Sequence, residues 1–263
     1  MTFLLPGQEK WPVPDVGQDC LQIRPTAGSV VGPNEGGDVR LFVSWSGGKD
    51  SALAAYRAWR EGHQLTYLLN CTAEDGIRTR SHGLPVEVID LQARAMGMPL
   101  LRVQTSWNEY EAKFKEAVRT LRDEGVEGGV FGDMAIEDHR EWVERVCAEV
   151  GVQALLPLWG DDPWALLVEF WNAGFQAVVV ATRLEPGFVG RPLDSVLVAE
   201  MVSRGAHPCG EGGEYHTLVT DGPLFRFPLH IEFPESQSIS YERDGVWFLN
   251  VAGILGAPGA SRV

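Results

Sequence analysis

From Val39 onward the chain alternates two hydrophobic patterns: short unbroken apolar runs, and longer segments whose apolar residues return every third or fourth position. The short runs read as buried strands: Val39 to Val43, Gln64 to Cys71, Leu100 to Val103, Gly129 to Phe131, Ala154 to Leu156 and Gln176 to Ala181. The longer segments read as helices. Ser51 to Arg60 is rich in alanine with its basic residues late, and Pro85 to Gly97 sets Val86, Ile89, Ala93 and Met96 on one face, with Pro85 at the first helical position. Tyr110, Phe114, Ala117 and Leu121 mark a helix ended by Gly125; Val143, Val146, Cys147 and Val150 mark the next, and Pro163 to Ala173 another. This βα alternation predicts an α/β fold, an open, doubly wound, mostly parallel sheet. The unbroken run from Gln176 to Ala181 is expected to be one of its strands, covered on both faces.

After Thr182 the pattern changes. A loop from Leu184 to Gly190 leads to Arg191-Pro192-Leu193-Asp194 and a helix ending near Gly205, and a polar stretch follows from Cys209 to Thr217. Leu224 to Phe227 and Ile231 to Phe233 read as strands, and Tyr241 to Asn250 as a hairpin turning at Asp244-Gly245. The division expected is an extension over 1–37, rich in proline and glycine with Trp11 and Val13 tucked against the body, a first domain over 38–183, a smaller C-terminal α+β lobe over 184–235, and a tail over 236–263.

Candidate chemistry begins where the first strand meets the first helix, at Ser44-Trp45-Ser46-Gly47-Gly48-Lys49-Asp50-Ser51. Unpaired N–H groups and the positive end of the helix dipole make such a turn an anion site. Gly47 and Gly48 let backbone approach a phosphate, Ser46 and Ser51 add hydroxyls, Lys49 adds charge, and Asp50 is placed to hold magnesium beside the phosphates. The bland alternative, a tight βα turn with an ordinary cap, accounts poorly for this many phosphate-binding residue types in a row. The spacing is not that of the Walker loop. The turn is expected to be exposed, and with Asn70, Asp133 and Trp159 at other strand ends to line one crevice.

A net charge of -14 argues against a general nucleic-acid binder, which needs a basic face, but leaves room for a local nucleotide pocket. Cys20, Cys71, Cys147 and Cys209 are scattered without a C-x-x-C pair, which suits a reducing, cytoplasmic setting and gives no zinc pattern. No signal peptide and no membrane-length apolar run is expected. A basic protein partner and a homodimer stay open.

Glu211-Gly212-Gly213-Glu214 is by itself as readily a solvated acidic turn as a substrate or metal cradle, although Tyr215, His216 and Thr217 crowd it with polar groups. Taken together the motifs carry a resemblance. Ser46 to Ser51 resembles the pyrophosphate loop of the adenine-nucleotide alpha-hydrolase superfamily, which has a HUP-type fold and splits ATP between its α- and β-phosphates. Glu211 to Thr217, Gly132-Asp133, Gly190 to Asp194, Asp90-Leu91-Gln92-Ala93 and Pro157 to Gly160 resemble the diphthine–ammonia ligase family, over about Val39 to Phe233.

That resemblance implies an ATP-dependent amidation in which a carboxylate is adenylated, pyrophosphate leaves, and free ammonia displaces AMP. The family's acceptor is diphthine on translation elongation factor 2. By the same resemblance Ser44, Ser46, Gly47, Gly48, Lys49, Asp50, Ser51, His82, Gly132 and Asp133 are expected to hold ATP, with Mg2+ on Asp50. Trp159, Arg191, Glu211, Gly212, Gly213, Glu214 and Tyr215 are expected at the acceptor, and Lys49, Asp50, Glu211 and Glu214 in catalysis. Arg140 and Arg191 are each as readily surface arginines as phosphate partners. His216 stands where some members carry an acidic residue, and Cys209 reads as a buried spacer. Other readings are the same chemistry on a different carboxylate, as in bacterial cofactor salvage, a tRNA-modifying ATP pyrophosphatase, and a non-catalytic nucleotide binder.

Overall fold

The computed structural model describes residues 39–80, 82–232 and 240–250, with the backbone of 253–255. The expected extension over 1–37 and Cys20 lie outside the described residues.

Strands β1 (Arg40–Ser44), β2 (Gln64–Thr72), β3 (Leu100–Gln104), β4 (Gly128–Val130) and β5 (Gln153–Leu155) form one parallel sheet in the order β3-β2-β1-β4-β5. Side chains alternate across it: Leu41 and Val43 enter the core on one face, Phe42 the core on the other. Helices α1 (Lys49–Arg60), α2 (Val86–Met96) and α5 (Pro163–Asn172) cover the first face; α3 (Tyr110–Asp123) and α4 (Glu137–Val150) cover the second. The sheet is therefore doubly wound. Its order reverses between β1 and β4, so the loops leaving those two strands part around a crevice.

The strand β6 (Gln176–Thr182), expected in the parallel sheet, is in a second one. It lies between β7 (Tyr215–Asp221) and β10 (Val246–Leu249), with β9 (Ser240–Arg243) beyond, and all the pairings are antiparallel. The apolar run misled because β6 is buried on both sides: Ala177 and Val179 join the core under the first sheet, while Val180 joins a third cluster with Leu218, Leu229 and Leu249. Such a run reports double burial, not strand direction. The helix α6 (Ser195–Ser203) begins at the Asp194 cap, whose carboxylate accepts the Leu197 N–H at 2.7 Å.

Two other expectations change. Leu224 to Phe227 is turn and bend, because Leu224, Phe225 and Phe227 plug singly into the neighbouring clusters. The strand β8 (His230–Glu232) does form, against β11 (Gly253–Leu255), and the polar stretch ending at Thr217 runs into β7. Pro85 caps α2 from one position earlier than expected. The hairpin turns at Asp244-Gly245, φ 55° and 77°, the pair of positive values that a type I′ turn requires.

The helix α2 has two apolar stripes. Ile89, Ala93 and Met96 face the parallel sheet; Val88, Leu91 and Ala95 face the second sheet. It is the layer that cements the two sheets.

Candidate active site

Four residues, Trp45 to Gly48, turn the chain from β1 into α1. Trp45 drops into the core at 1% exposure, and its carbonyl accepts the Asn70 amide at 2.7 Å. Asn70 thus supports the turn from inside β2. Gly47 has φ +87°, and a Cβ there would meet Gln92 and Ile89 at under 3 Å. At Gly48 a Cβ would come to 2.7 Å from the His82 ring. The Ser46 hydroxyl accepts the Gly48 N–H at 3.3 Å and lies 3.1 Å from that of Ser51. Gly48 offers no capping side chain, so the Lys49 N–H is accepted by Thr217 Oγ1 of β7 at 3.0 Å. The second sheet caps the helix of the first.

Lys49 is not exposed as expected but 4% accessible, because its side chain runs back under the loop from 207 to 214. The ammonium bonds to Asp50 Oδ2 at 2.9 Å and to the Cys209 carbonyl, 5.0 Å from the centre of the Tyr215 ring. Burial works to lower its pKa, but Asp50, Cys209 and Glu211 outweigh that and hold it above the usual lysine value. Burial pushes the Cys209 thiol up to about 12, and its S–H donates to the Pro163 carbonyl, as suits a buried spacer.

Around this point a cavity of about 270 Å³ opens between the two sheets. Of the expected residues, Ser44, Ser46, Gly48, Lys49, Asp50, Ser51, His82, Gly132, Asp133, Glu211, Gly213 and Tyr215 line it. Gly132 meets α1 so closely that a Cβ would be 2.8 Å from Asp50 C and Ser51 N. Asp133 lies 3.1 Å from His139 Nδ1. Glu211 is raised above an ordinary carboxyl by burial, then by Asp50 and Asp133.

Five expected residues are placed elsewhere. Gly47 turns away from the cavity, and Gly212 is outside its lining. Glu214 points behind the loop, where Oε1 accepts the His207 N–H at 3.0 Å and Oε2 has no partner among the described residues. Arg191 pairs with Glu200 of α6 at 2.8 Å. Trp159 lies under the Arg140 guanidinium at 4.9 Å, one contact removed from the cavity through the first turn of α4.

His82 and His216 meet at the cavity wall, ring centres 4.9 Å apart and planes inclined by 38°. Burial, His216 and Lys49 push His82 well below the usual imidazole value, and its Nδ1 has no partner among the described residues. Burial, then Lys49 and Arg183, bring His216 down to about 4. Both rings are neutral near pH 7.

Sequence reasoning missed Ile136 and His139 in the lining, and gave no role to Gln92 behind it, although Asp90 to Ala93 carried part of the resemblance. The signal for Gln92 was an amide among the apolar positions of α2, where polar side chains are rare unless paired.

Magnesium fits the donors present. Asp133 raises the carboxyl of Asp50, Asp50 and Asp133 raise that of Glu211, and Lys49 is the only lysine or arginine in the described lining. Among the described residues no group of three ligands is preassembled. Magnesium takes one or two carboxylates together with phosphate oxygens and water, so such a site is completed by a nucleotide.

Residues 39–154 match the family model described as Diphthamide synthase N-terminal domain, and residues 162–255 the one described as Diphthamide synthase C-terminal domain. A curated relative, diphthine–ammonia ligase of Bos taurus, is 31% identical, covering 75% of this chain and 84% of its own. Diphthine–ammonia ligase of Homo sapiens is 30% identical with the same coverage, and that of Rattus norvegicus is 28% identical over 82% of this chain and 92% of its own. A solved structure from Methanocaldococcus jannaschii, described as a predicted subunit of tRNA methyltransferase, is 19% identical. It covers 70% of this chain and 98% of its own with a TM-score of 0.39, a likeness too loose to bear on function.

Proposed function

The chain belongs to the diphthine–ammonia ligase family, and we propose that the cavity between its two sheets is where ATP activates a carboxylate for attack by ammonia. The protein is an ATP-dependent ligase that forms an amide. Its acceptor in this proposal is diphthine on elongation factor 2, and its products besides the amide are AMP and pyrophosphate.

The observation that carries the reading is the convergence of the α1 N-terminus, buried Lys49 and Glu211 on one cavity. A carboxylate oxygen of the acceptor attacks the α-phosphorus, the bond to the β-phosphate oxygen breaks, and pyrophosphate leaves with the electron pair. The N–H groups at the start of α1, the Ser46 and Ser51 hydroxyls and Lys49 take up the charge of that leaving group. Lys49 has three N–H donors, two of them given to Asp50 and Cys209, so one is left for a phosphate oxygen. Ammonia then attacks the acyl carbon and AMP departs.

Magnesium held by Asp50 and Asp133 would neutralise phosphate oxygens when bound. Glu211, with its raised carboxyl, receives the cationic acceptor head or the incoming nitrogen. Glu214 braces the loop. Trp159 and Arg191 take no part, being engaged with Arg140 and Glu200.

The test is to supply ATP, magnesium, ammonium and diphthine-bearing elongation factor 2, and to quantify nucleotide products. AMP, pyrophosphate and amide in equal amounts are expected only when every component is present. Release of ADP and phosphate instead would overturn the adenylate route. Lys49→Met should lower amide formation by about 100-fold or more, the scale of losing a preorganised charge donor.

A further inference from the structure

Taking the loop as the phosphate site, as just proposed, we infer that Gln92 is a positioning residue that sets the direction of the Gly48 N–H. Gln92 is fully buried on α2. Its Nε2 donates to the Gly47 carbonyl at 3.0 Å and to the Val219 carbonyl of β7 at 2.8 Å, and its Oε1 accepts the Trp45 indole N–H at 2.9 Å. The Val219 N–H also donates to the Gly47 carbonyl, at 2.9 Å. One carbonyl of the turn is thus held by two donors, both on the side away from the cavity.

The described peptide bonds are all trans, so the Gly47 carbonyl and the Gly48 N–H of the shared peptide point in opposite directions. Holding the carbonyl toward α2 and β7 turns the N–H toward Ser46 Oγ and the cavity, where Gly48 contributes to the lining and Gly47 does not. Left-handed backbone at Gly47 is flexible by nature. Without Gln92 only the Val219 N–H opposes a flip of that peptide, which would present a carbonyl oxygen to the phosphates. Gln92 therefore acts on the reaction through Gly48, never touching substrate.

The same amide joins three elements: the turn after β1, helix α2 and strand β7. The phosphate loop is set only when the second sheet is docked.

The experiment compares Gln92→Met and Gln92→Glu with Trp45→Phe in the full chain. The first two remove the Gln92 donor to Gly47 and leave that of the Val219 N–H; the third keeps both donors and removes the bond to Gln92 Oε1 with part of the buried indole. ATP affinity is read by calorimetry with magnesium and no acceptor, alongside thermal melts and amide-formation kinetics. Gln92→Met and Gln92→Glu should melt cooperatively, bind ATP about tenfold or more weakly and lose kcat, with KM for the acceptor unchanged. Trp45→Phe should lose comparable stability yet bind ATP within about threefold of the parent. The inference falls if the Gln92 variants bind ATP as Trp45→Phe does, or if neither of them folds, since either result makes Gln92 a stability residue only. A parent chain that binds no ATP would instead overturn the assignment of the phosphate site.

Discussion

His216 stays neutral down to about pH 4, against an ordinary 6.5, chiefly through burial. Between those values the unfolded chain binds a proton that the folded chain refuses, so stability rises with pH across the window and is lost as pH falls from about 6.5 to 4. At 1.36 kcal/mol per unit the loss approaches about 3 kcal/mol from this ring alone. His216→Gln should flatten the acid limb of a denaturation series over that range; an unchanged limb would contradict the burial of the ring. Individual side chains were unevenly legible in sequence. The residue types of Ser46 to Ser51 announce a phosphate because their chemistry is local to the turn. Nothing in the turn announces that Lys49 is covered, since its cover is the Cys209 carbonyl, far along the chain. Glu211 and Glu214 look alike in a symmetric motif, yet only the first faces the cavity. The distinction rests on the backbone path through Gly210 and Gly213, φ 69° and 76°, and residue types alone do not encode it.

Elements built on one periodicity were legible, and those serving two partners were not. The stripe of Ile89, Ala93 and Met96 in α2 stood out, while the second stripe of Val88, Leu91 and Ala95 blended into it. A doubly buried helix carries a diluted amphipathic signal. β6 failed for the same reason. The contact between the β4 loop and the first turn of α1 rests on Gly132, which has backbone against its Cα. Gly132→Ala should push the two apart, destabilise by about 1–3 kcal/mol and reduce amide formation more than tenfold. Gly187→Ala, at a site where a Cβ meets nothing within 4 Å, serves as the control and should change neither. Melting curves and initial rates decide between them.

At the scale of the whole molecule the two sheets share one core. A single apolar cluster takes Leu41 and Val43 of β1, Ala52 to Ala55 of α1, Phe170 of α5, Val179 of β6, Leu197 of α6 and Val219 of β7. A chain ending at residue 161, between the two family matches, keeps α1 and α2 on that face of the parallel sheet but loses α5 and the whole second sheet that complete its core. Such a fragment should not give a cooperative melt; a sharp transition would show the first unit to be independent. The α/β class and the place of the turn between β1 and α1 were legible because strand–helix alternation repeats along the chain, whereas the partner of each sheet face depends on contacts far apart in sequence. The cap that Thr217 gives to Lys49 N–H belongs with those distant contacts. Its consequence is temporal. During synthesis the phosphate turn leaves the ribosome long before β7 does, and until β7 pairs with β6 the start of α1 has no cap. A nascent or truncated chain thus carries every residue of the turn without the bond that fixes the start of the helix behind it.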